Sequence, residues 1–472
     1  MAATQDIESD HSDDRHGEGV LAALSYELQS AERTLAADTR RNAGNMRASL
    51  TTLALTLIIS VAMGVAAWVF LTSLEIVTGV RGRHGWLLLL LPVVGVGTAW
   101  VYRNHGLRSA RGNNLVIDSA LGGTPIHARM AFLTFVCSVA THLVGGSAGR
   151  EGTAVQIGGT IASNVAERFG VKSARTRQDL MLAGVSAAFG GVFGTPLAGA
   201  FFGMEVCTVG KLNYSAGIYC LIASFTGNAV ADALGVARES FHIASIPPMD
   251  AASVALVVAC ACVFGLVARL FSLAIRSVKR LYGTRIKNYL VAALAGSLAV
   301  CAVYFAFSWQ RYAGLSSWLV EAGFEGRTSL LDPVAKLICT ALTLGAGFQG
   351  GEVTPLFAIG ASLGGWLGTV VGFDTSFMAA LGMLGMFGAA LNVPVTTIML
   401  AIDMFGGAGA PYFVIVAFVS YLVEGHRGVY PAQRIVTPKC RSLDPDTGDT
   451  LEAAIARHRQ AACPETGRGD RA

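Results

Sequence analysis

A carboxylate stands in an apolar, glycine-rich part of the sequence, within the motif GREGT at residues 149–153. A charged side chain costs about 2.5–3.5 kcal/mol at the centre of a transmembrane helix, so it is seldom placed there without a function. Glycines interrupt the apolar segment before Glu151, and helical periodicity resumes after it, which predicts that Glu151 lies at a helix N-terminus. Unpaired N–H groups and the positive end of the helix dipole bind anions there. Glu151 and a free anion can therefore compete for one site, with Glu151 entering it when ionised and leaving it when protonated.

A second acidic residue stands in a similar context in the other half of the chain. The sequence GGEVTP at residues 350–355 places Glu352 201 residues after Glu151. Its glycine-rich turn also leads into an apolar segment, so Glu352 is predicted at the start of a second interrupted helix. Two interpretations stay open for Glu352: an ordinary helix cap, or a second station for a proton or an anion.

A longer spacing also occurs twice. The pattern Phe-Gly, five residues, Pro, eight residues, acid ends once at Glu205 and once at Asp403, an offset of 198 residues. These two acids are interpreted as structural residues at an interface rather than proton carriers. Two halves that each carry a broken helix with an acid at its start match transporters built from repeats, which bind substrate where the repeats meet. Helix N-termini at that place favour an anion as substrate.

The composition places these motifs in a membrane. Hydrophobic residues make up 53% of the chain and charged residues 14%, against about 25% charged residues in soluble proteins, which predicts a polytopic membrane protein. The 56 glycines, against 13 prolines, suit close packing between helices. The net charge of +4 comes from scattered basic residues and gives no argument for nucleic acid. Nine cysteines without a Cys-x-x-Cys motif indicate neither a zinc site nor a disulfide framework, so we expect no metal and no cofactor.

The ends of the chain and the lengths of its apolar stretches complete this picture. Residues 1–47 are polar and lack the apolar core of a signal peptide, and more arginines precede the first apolar run than follow it, which predicts a cytoplasmic N-terminus. Several later apolar stretches are shorter than the ~20 residues that a crossing needs, so they read as half-helices or re-entrant segments lining a protected cavity. The polar tail after Tyr430 is shorter than a minimal domain of ~50 residues.

An enzymatic alternative comes from the sequence GGSAG at residues 145–149. It fits the Gly-x-Ser-x-Gly pattern of a nucleophilic serine, and His142 is close in sequence. That motif requires a strand, a turn and a helix, whereas an apolar helical segment leads into Ser147. We therefore expect a transporter and not an enzyme.

Four motifs in order across both halves carry a family resemblance. They are GREG at 149–152, PLAG at 196–199 in a helix ending at Glu205, Gly351 followed by Pro355, and a late Tyr430. Together they resemble the CLC chloride channel and transporter family. The departures are GNNLV at 112–116 in place of Gly-Ser-Gly-Ile-Pro, Thr153 in place of proline, GEVTP at 351–355 in place of Gly-x-Phe-x-Pro, and Val206 in place of the second glutamate of coupled chloride exchangers. This combination resembles the bacterial fluoride/proton antiporter branch.

The resemblance implies roles for particular residues. Glu151 is then the gating and proton-coupling glutamate, Asn113 replaces the anion-binding serine, and Tyr430 is the inner-gate tyrosine. Asparagine offers two N–H donors where serine offers one hydroxyl, which favours a small, strongly hydrated anion. The further anion-binding residues are expected to be Gly152, Thr153, Gly351, Val353 and Thr354.

Structural alternatives stay open for most of these residues. Glu151 is alternatively a helix cap or a partner of Arg150, and Asn113 an ordinary N-cap. The two threonines, Thr153 and Thr354, are alternatively bonded to their own helices. Tyr430 is alternatively a tyrosine of the interfacial belt.

The resemblance further implies an all-α polytopic membrane protein with a CLC-type fold of two inverted-topology repeats and broken, re-entrant helices. We expect a cytoplasmic segment at 1–47, a transport domain at 48–436 with repeats at about 48–235 and about 250–436, and a cytoplasmic tail at 437–472. The expected function is export of fluoride in exchange for inward protons, by a homodimer in the lipid bilayer of a bacterial inner membrane, with both termini in the cytoplasm. The alternative is a chloride channel or a chloride/proton exchanger of the same fold.

Overall fold

A computed structural model describes residues 13–462 of the chain, and regular structure in this part is almost entirely helical. Two short strands, β1 (Thr208–Val209) and β2 (Arg434–Ile435), pair in parallel. The α-helices in chain order are α1 Asp13–Arg83, α2 Leu91–His105, α3 Asn113–Ala120, α4 Arg129–Leu143, α5 Glu151–Arg168, α6 Ala174–Phe193, α7 Pro196–Glu205, α8 Gly217–Ala233, α9 Ala251–Arg285, α10 Tyr289–Ala306, α11 Ser317–Phe324, α12 Leu331–Gly345, α13 Val353–Val371, α14 Thr375–Leu391, α15 Pro394–Phe405, α16 Ala410–Glu424 and α17 Leu451–Ala462.

The chain divides into two compact units, one ending at Ala54 and one beginning at Leu55. The described residues of the first unit are helical. The second unit contains the helices from α2 onward, together with all the residues that the sequence analysis singled out.

The helices fall into two length classes, as the apolar stretches predict. Five helical segments are long and apolar enough to cross a membrane: Ala48–Arg83, Gly85–His105, Ala251–Arg285, Tyr289–Ala306 and Val353–Val371. Four further apolar helices are too short to do so: α4, α14, α15 and α16. Such short helices are tolerated at membrane depth only where protein surrounds them or where they line a cavity. The prediction of an all-α membrane protein with broken helices is confirmed.

The two halves repeat the same series of helices. Helices α3 and α11 have 8 residues each, α4 and α12 have 15 each, and α5 and α13 have 18 and 19. Helices α6 to α8 then correspond to α14 to α16 in the same order. The internal repeat seen in the motif spacing therefore extends over the helical framework of both halves.

Reciprocal caps between α7 and α15 show that the repeats are inverted. Glu205, at the end of α7, accepts hydrogen bonds from Val395 N at 3.0 Å and Thr396 N at 2.7 Å, at the start of α15. Asp403, near the end of α15, accepts one from Ala198 N at 2.9 Å, at the start of α7. These equivalent helices thus run antiparallel, which requires opposite orientations of the two repeats. Both acids also fill helix N-termini, in agreement with their interpretation as structural residues.

The segment after α16 folds against the helical framework. Leu451 and Ala454 of α17 are buried in one cluster with Val209, Tyr421 and Ile435. The backbone pairing of β1 with β2 joins this segment to the loop after α7. The described part of the tail expected from residue 437 onward is therefore packed against α16 and the loop after α7.

Candidate functional site

The N-termini of α5 and α13 meet near the centre of the second unit. Helix α5 begins at Glu151 and α13 at Val353. Just before them, Gly149 and Gly351 form an antiparallel bridge, with N–H···O distances of 2.7 and 2.6 Å. A Cβ on Gly351 would lie 2.6 Å from Gly152 N, so a side chain cannot be placed there without moving backbone. Glycine is thus what lets two positive helix ends approach one another.

The Glu151 carboxylate reaches across this junction to the other repeat. It is 2% exposed and accepts hydrogen bonds from Thr354 N at 3.1 Å and from Thr354 Oγ1, which lies 2.6 Å from both carboxylate oxygens. Arg150 N donates at 3.1 Å, and Arg150 Nε lies 3.5 Å from Oε1. The carboxylate therefore occupies the first turn of α13, the position where a free anion would find the same donors. Within its own helix Glu151 accepts only the N–H of the N-cap residue Arg150, and its other hydrogen bonds go to α13.

Glu352 stands at the start of α13, the place in the second repeat that corresponds to the start of α5 in the first. It is partly buried, and its Oε2 atom is enclosed without a hydrogen-bond partner among the described residues. The same oxygen lies 3.2 Å from where a Cβ on Gly152 would stand, next to the N-terminus of α5. A buried acceptor left without a partner costs about 1–3 kcal/mol, and more if it is charged. Glu352 makes no side-chain capping bond to α13, and the polar side chain that its carboxylate faces is Tyr430.

Asn113 and Tyr430 stand together on the same side of Gly152 as Glu352. Asn113 Nδ2 donates to the Tyr430 hydroxyl at 3.3 Å, and both side chains are buried. Asn113 is the first residue of α3, and its side chain makes no capping bond, because Gly112 holds the N-cap position. Its Nδ2 lies 2.8 Å from where a Cβ on Gly152 would stand. Two polar groups thus converge on the start of α5.

Two of the residues expected to bind the anion turn their side chains elsewhere. The Thr153 hydroxyl donates to Ser138 Oγ of α4 at 3.0 Å, and the Val353 side chain is buried in the apolar core. Their backbone groups belong to the first turns of α5 and α13 and are what they offer to an anion. Thr354, in contrast, directs its hydroxyl to Glu151 rather than back to its own helix.

Two cavities approach this junction. The first, of about 580 Å³, is lined by Asn113, Tyr430 and Glu352 together with the basic residues Arg276 and Lys279, and we call it the inner cavity. The second, of about 500 Å³, is lined by Arg150, Arg238, Glu75 and Glu239 among others, and we call it the outer cavity. The inner cavity lies at the end of α2 and the outer cavity at the end of α1. Because α2 returns from the face where α1 ends, the two cavities belong to opposite faces of the unit.

A series of buried, hydrogen-bonded polar side chains beside the inner cavity was not predicted from the sequence. Gln156 Oε1 accepts from Thr134 at 3.0 Å, and Thr134 lies 3.1 Å from the Tyr102 hydroxyl. Gln156 lies five residues after Glu151, and this polar residue in a largely buried helix was the available signal. Lys279 was missed because nothing in its sequence context marks a cavity.

The geometry around Ser147 does not match that of a nucleophilic serine with His142 as its base. Ser147 Oγ lies 2.9 Å from the Thr340 hydroxyl, whereas His142 Nδ1 pairs with the Ser138 carbonyl oxygen at 2.8 Å. Among residues 13–462 no histidine ring bonds to the Ser147 hydroxyl, and a helix rather than a strand precedes this serine.

Comparisons with known proteins agree with this architecture. A family model described as voltage gated chloride channel matches residues 94–425. A chloride/fluoride channel protein of Pseudomonas syringae pv. tomato is 36% identical over 390 residues, which cover 81% of this chain and 86% of the relative. An H(+)/Cl(-) exchange transporter, ClcA, of Vibrio cholerae is 26% identical over 54% of this chain and 58% of the relative. The crystal structure of a CLC-type fluoride/proton antiporter superposes with a TM-score of 0.79 at 34% identity, over 82% of this chain and 98% of that one.

Proposed function

We propose a transport function for this chain, which belongs to the voltage gated chloride channel (CLC) family. The family match and the 36% identical relative establish that membership. The resemblance stated from its motifs is thereby confirmed. The protein is a fluoride/proton antiporter, a secondary transporter that exports fluoride in exchange for protons moving inward. Support for fluoride comes from the 34% identical fluoride/proton antiporter of the same fold.

The observation that carries this proposal is the position of the Glu151 carboxylate in the first turn of α13. Its bonds to Thr354 N and Oγ1 are bonds that a small anion would make equally well. An ionised Glu151 therefore excludes the anion, and a protonated Glu151 loses the charge that holds it there. Each departure of the side chain takes up a proton and admits an anion, which couples the two movements.

Glu352 extends the proton path toward the inner cavity. It lines that cavity, and its unpartnered Oε2 stands close to the start of α5. A proton delivered by Glu151 can be accepted there and released into the water of the inner cavity. Glu352 is thus the second proton station of the exchange cycle.

Selectivity for fluoride rests on the density of strong donors at the junction. Fluoride is smaller and more strongly hydrated than chloride, so its dehydration must be repaid by short hydrogen bonds. Asn113, Tyr430, Thr354 and the first turns of α5 and α13 supply them. Chloride gains less from the same donors.

The proposed setting of the protein includes its oligomeric state, its membrane and its orientation. The protein is a homodimer, as the family resemblance implies, in a bacterial inner membrane with both termini in the cytoplasm. The bacterial relatives support the kind of membrane, and the arginines before the first apolar run support the cytoplasmic N-terminus. The inner cavity then opens to the cytoplasm, where fluoride is collected. Its basic residues Arg276 and Lys279 attract anions from that side.

The decisive experiment measures coupled flux with two anions. Purified protein in liposomes is given equal outward gradients of fluoride or chloride, and proton movement is followed with a pH-sensitive dye. We expect fluoride to drive proton uptake against a proton gradient and chloride to drive it at least tenfold more slowly. Equal proton uptake with both anions would make this a chloride/proton exchanger, and anion flux without proton movement would make it a channel.

A further inference from the structure

A strongly basic cavity adjoins the inner cavity at the same face of the unit. It measures about 490 Å³ and is lined by the last turns of α9, the turn after α16, and α17. Six basic residues contribute to it: Arg276, Arg280, Arg285, Arg427, His458 and Arg459. None of the described residues that line it is acidic.

The protein neutralises only part of the positive charge of this cavity: His458 pairs with Asp446, and the buried carboxyl group of Glu424 lies near Arg276 and Arg427. In the described part of the chain, Arg280, Arg285, Arg427 and Arg459 have no carboxylate within salt-bridge distance. Arg276 donates through Nη1 to the Gly428 carbonyl oxygen at 3.1 Å, but its Nη2 is enclosed and has no partner among the described residues. An enclosed guanidinium donor without an acceptor is costly, so it marks the place of an external anion.

The cavity is also open to the hydrocarbon side of α9. Val263, Leu266 and Leu270 form an exposed apolar face of this helix, with both leucines 54% exposed. At helical spacing the same face continues with Leu273, Ser277 and Leu281, which line the cavity. The exposed, mainly apolar face of α9 therefore continues into the basic cavity.

The position of the cavity along α9 matches the level of phospholipid headgroups in a bilayer. Helix α9 has 35 residues, and at 1.5 Å per residue it is longer than the ~30 Å hydrocarbon core. Its apolar part comes first, and the residues that line the basic cavity occupy its last turns, at the level of the phosphates.

We propose that this cavity binds the phosphate headgroup of an anionic phospholipid in the adjacent leaflet, whose acyl chains lie along the exposed face of α9. The arginines pair with the phosphate, as basic pockets at helix ends do with acidic lipids. A soluble anion would use the arginines but gain nothing from Leu266, Leu270 and Leu281. Since Arg276 lines both cavities, the bound phosphate would stand beside the anion path of the inner cavity.

Lipid binding is tested on the full-length protein in detergent, without reference to the transported anion. Dioleoyl-phosphatidylglycerol or dioleoyl-phosphatidylcholine is titrated in, and bound lipid is counted by native mass spectrometry. The test variant combines Arg280→Gln with Arg459→Gln, both exposed and therefore removable without loss of fold. The matched control is Lys287→Gln, an exposed cation just after α9 that does not line the cavity.

We expect phosphatidylglycerol to bind in preference to phosphatidylcholine, and the double variant to bind it about 25-fold more weakly, at about fivefold per cation. Leu281→Ser should also weaken phosphatidylglycerol binding, and Lys287→Gln should leave it unchanged. Equal retention of the two lipids, or unchanged affinity in the double variant, would overturn the proposal. Displacement of phosphatidylglycerol by equimolar glycerol 3-phosphate would reassign the cavity to a soluble phosphate.

Discussion

Replacing Glu151 by glutamine should separate anion movement from proton movement. The carboxylate accepts from Arg150 N, Thr354 N and Thr354 Oγ1. Hydrogen bonds to a charged group are worth about 1.5–3 kcal/mol, and neutral ones about 0.5–1.5 kcal/mol. An amide also has one acceptor oxygen in place of two, so its NH₂ group would face a donor.

The size of the effect follows from these three contacts. If each of the three hydrogen bonds loses about 1 kcal/mol, the state in which the side chain of residue 151 occupies the first turn of α13 is destabilised by about 3 kcal/mol. This shifts the occupancy of that turn by the side chain roughly a hundredfold. The side chain then yields the first turn of α13 to the anion most of the time. Because an amide does not titrate near neutral pH, its departures carry no proton. We expect fluoride flux to persist and fluoride-driven proton flux to fall to the background of protein-free liposomes.

The assay records both ions from the same proteoliposomes, fluoride with an ion-selective electrode and protons with a dye. Glu321→Gln serves as the control, because it makes the same chemical change at an exposed position of α11. It should keep both fluxes. Normal proton flux in Glu151→Gln would refute the assignment of coupling to this side chain, whatever happens to fluoride.

Three further predictions concern other parts of the molecule. Glu352→Gln should lower fluoride/proton turnover at least about tenfold with an unchanged melting temperature, since the uncharged side chain keeps its shape but carries no proton; normal turnover would return Glu352 to a structural role. Asn113→Ser removes one N–H donor and should narrow the fluoride preference over chloride about fivefold, read from initial proton uptake with equal gradients of each anion; an unchanged ratio would place selectivity in the second repeat. Burial lowers the pKa of His426, which favours the neutral imidazole in the folded state. The Nδ1 atom of this ring lies 2.7 Å from Asp446 Oδ2, and its Nε2 atom accepts the backbone N–H of Lys439. Stability should then fall as pH drops through about 6.5, where the unfolded chain takes up the proton, and His426→Asn should flatten that fall in thermal melts between about pH 8 and about pH 5.5; an equal slope in both proteins would contradict this.

The framework of helices could be predicted from the sequence because hydrophobicity and motif spacing are local signals. The offset between Glu205 and Asp403 revealed the repeat, and short apolar stretches revealed the broken helices. The packing of α17 could not be predicted, because the cluster around Leu451 and Ala454 joins residues from three separated parts of the chain. Each of those segments looks polar or too short when it is considered alone.

The positions of the candidate site residues at helix starts could be predicted from the sequence, but their contacts could not. The sequence placed Glu151 and Glu352 at helix starts, which follows from glycines and apolar periodicity. It could not show that Glu151 reaches Thr354 of the other repeat, because that contact depends on how closely Gly149 and Gly351 allow the two helices to approach. The side-chain direction of Thr153, toward Ser138, was equally hidden, since a threonine hydroxyl has several partners within reach.

The charge balance at the junction gives a physical reason for coupling that does not depend on any single contact. Helices α3, α5 and α13 each present an N-terminus, with about half a positive charge apiece, and Arg150 adds one charge at 3.5 Å that the outer cavity partly screens. Together these amount to at most about 2.5 positive charges. An ionised Glu151, an ionised Glu352 and a fluoride would bring three negative charges into the same buried space. The three negative charges would exceed the positive charges by about half a charge, and protonation of Glu151, which also frees the first turn of α13, removes this excess.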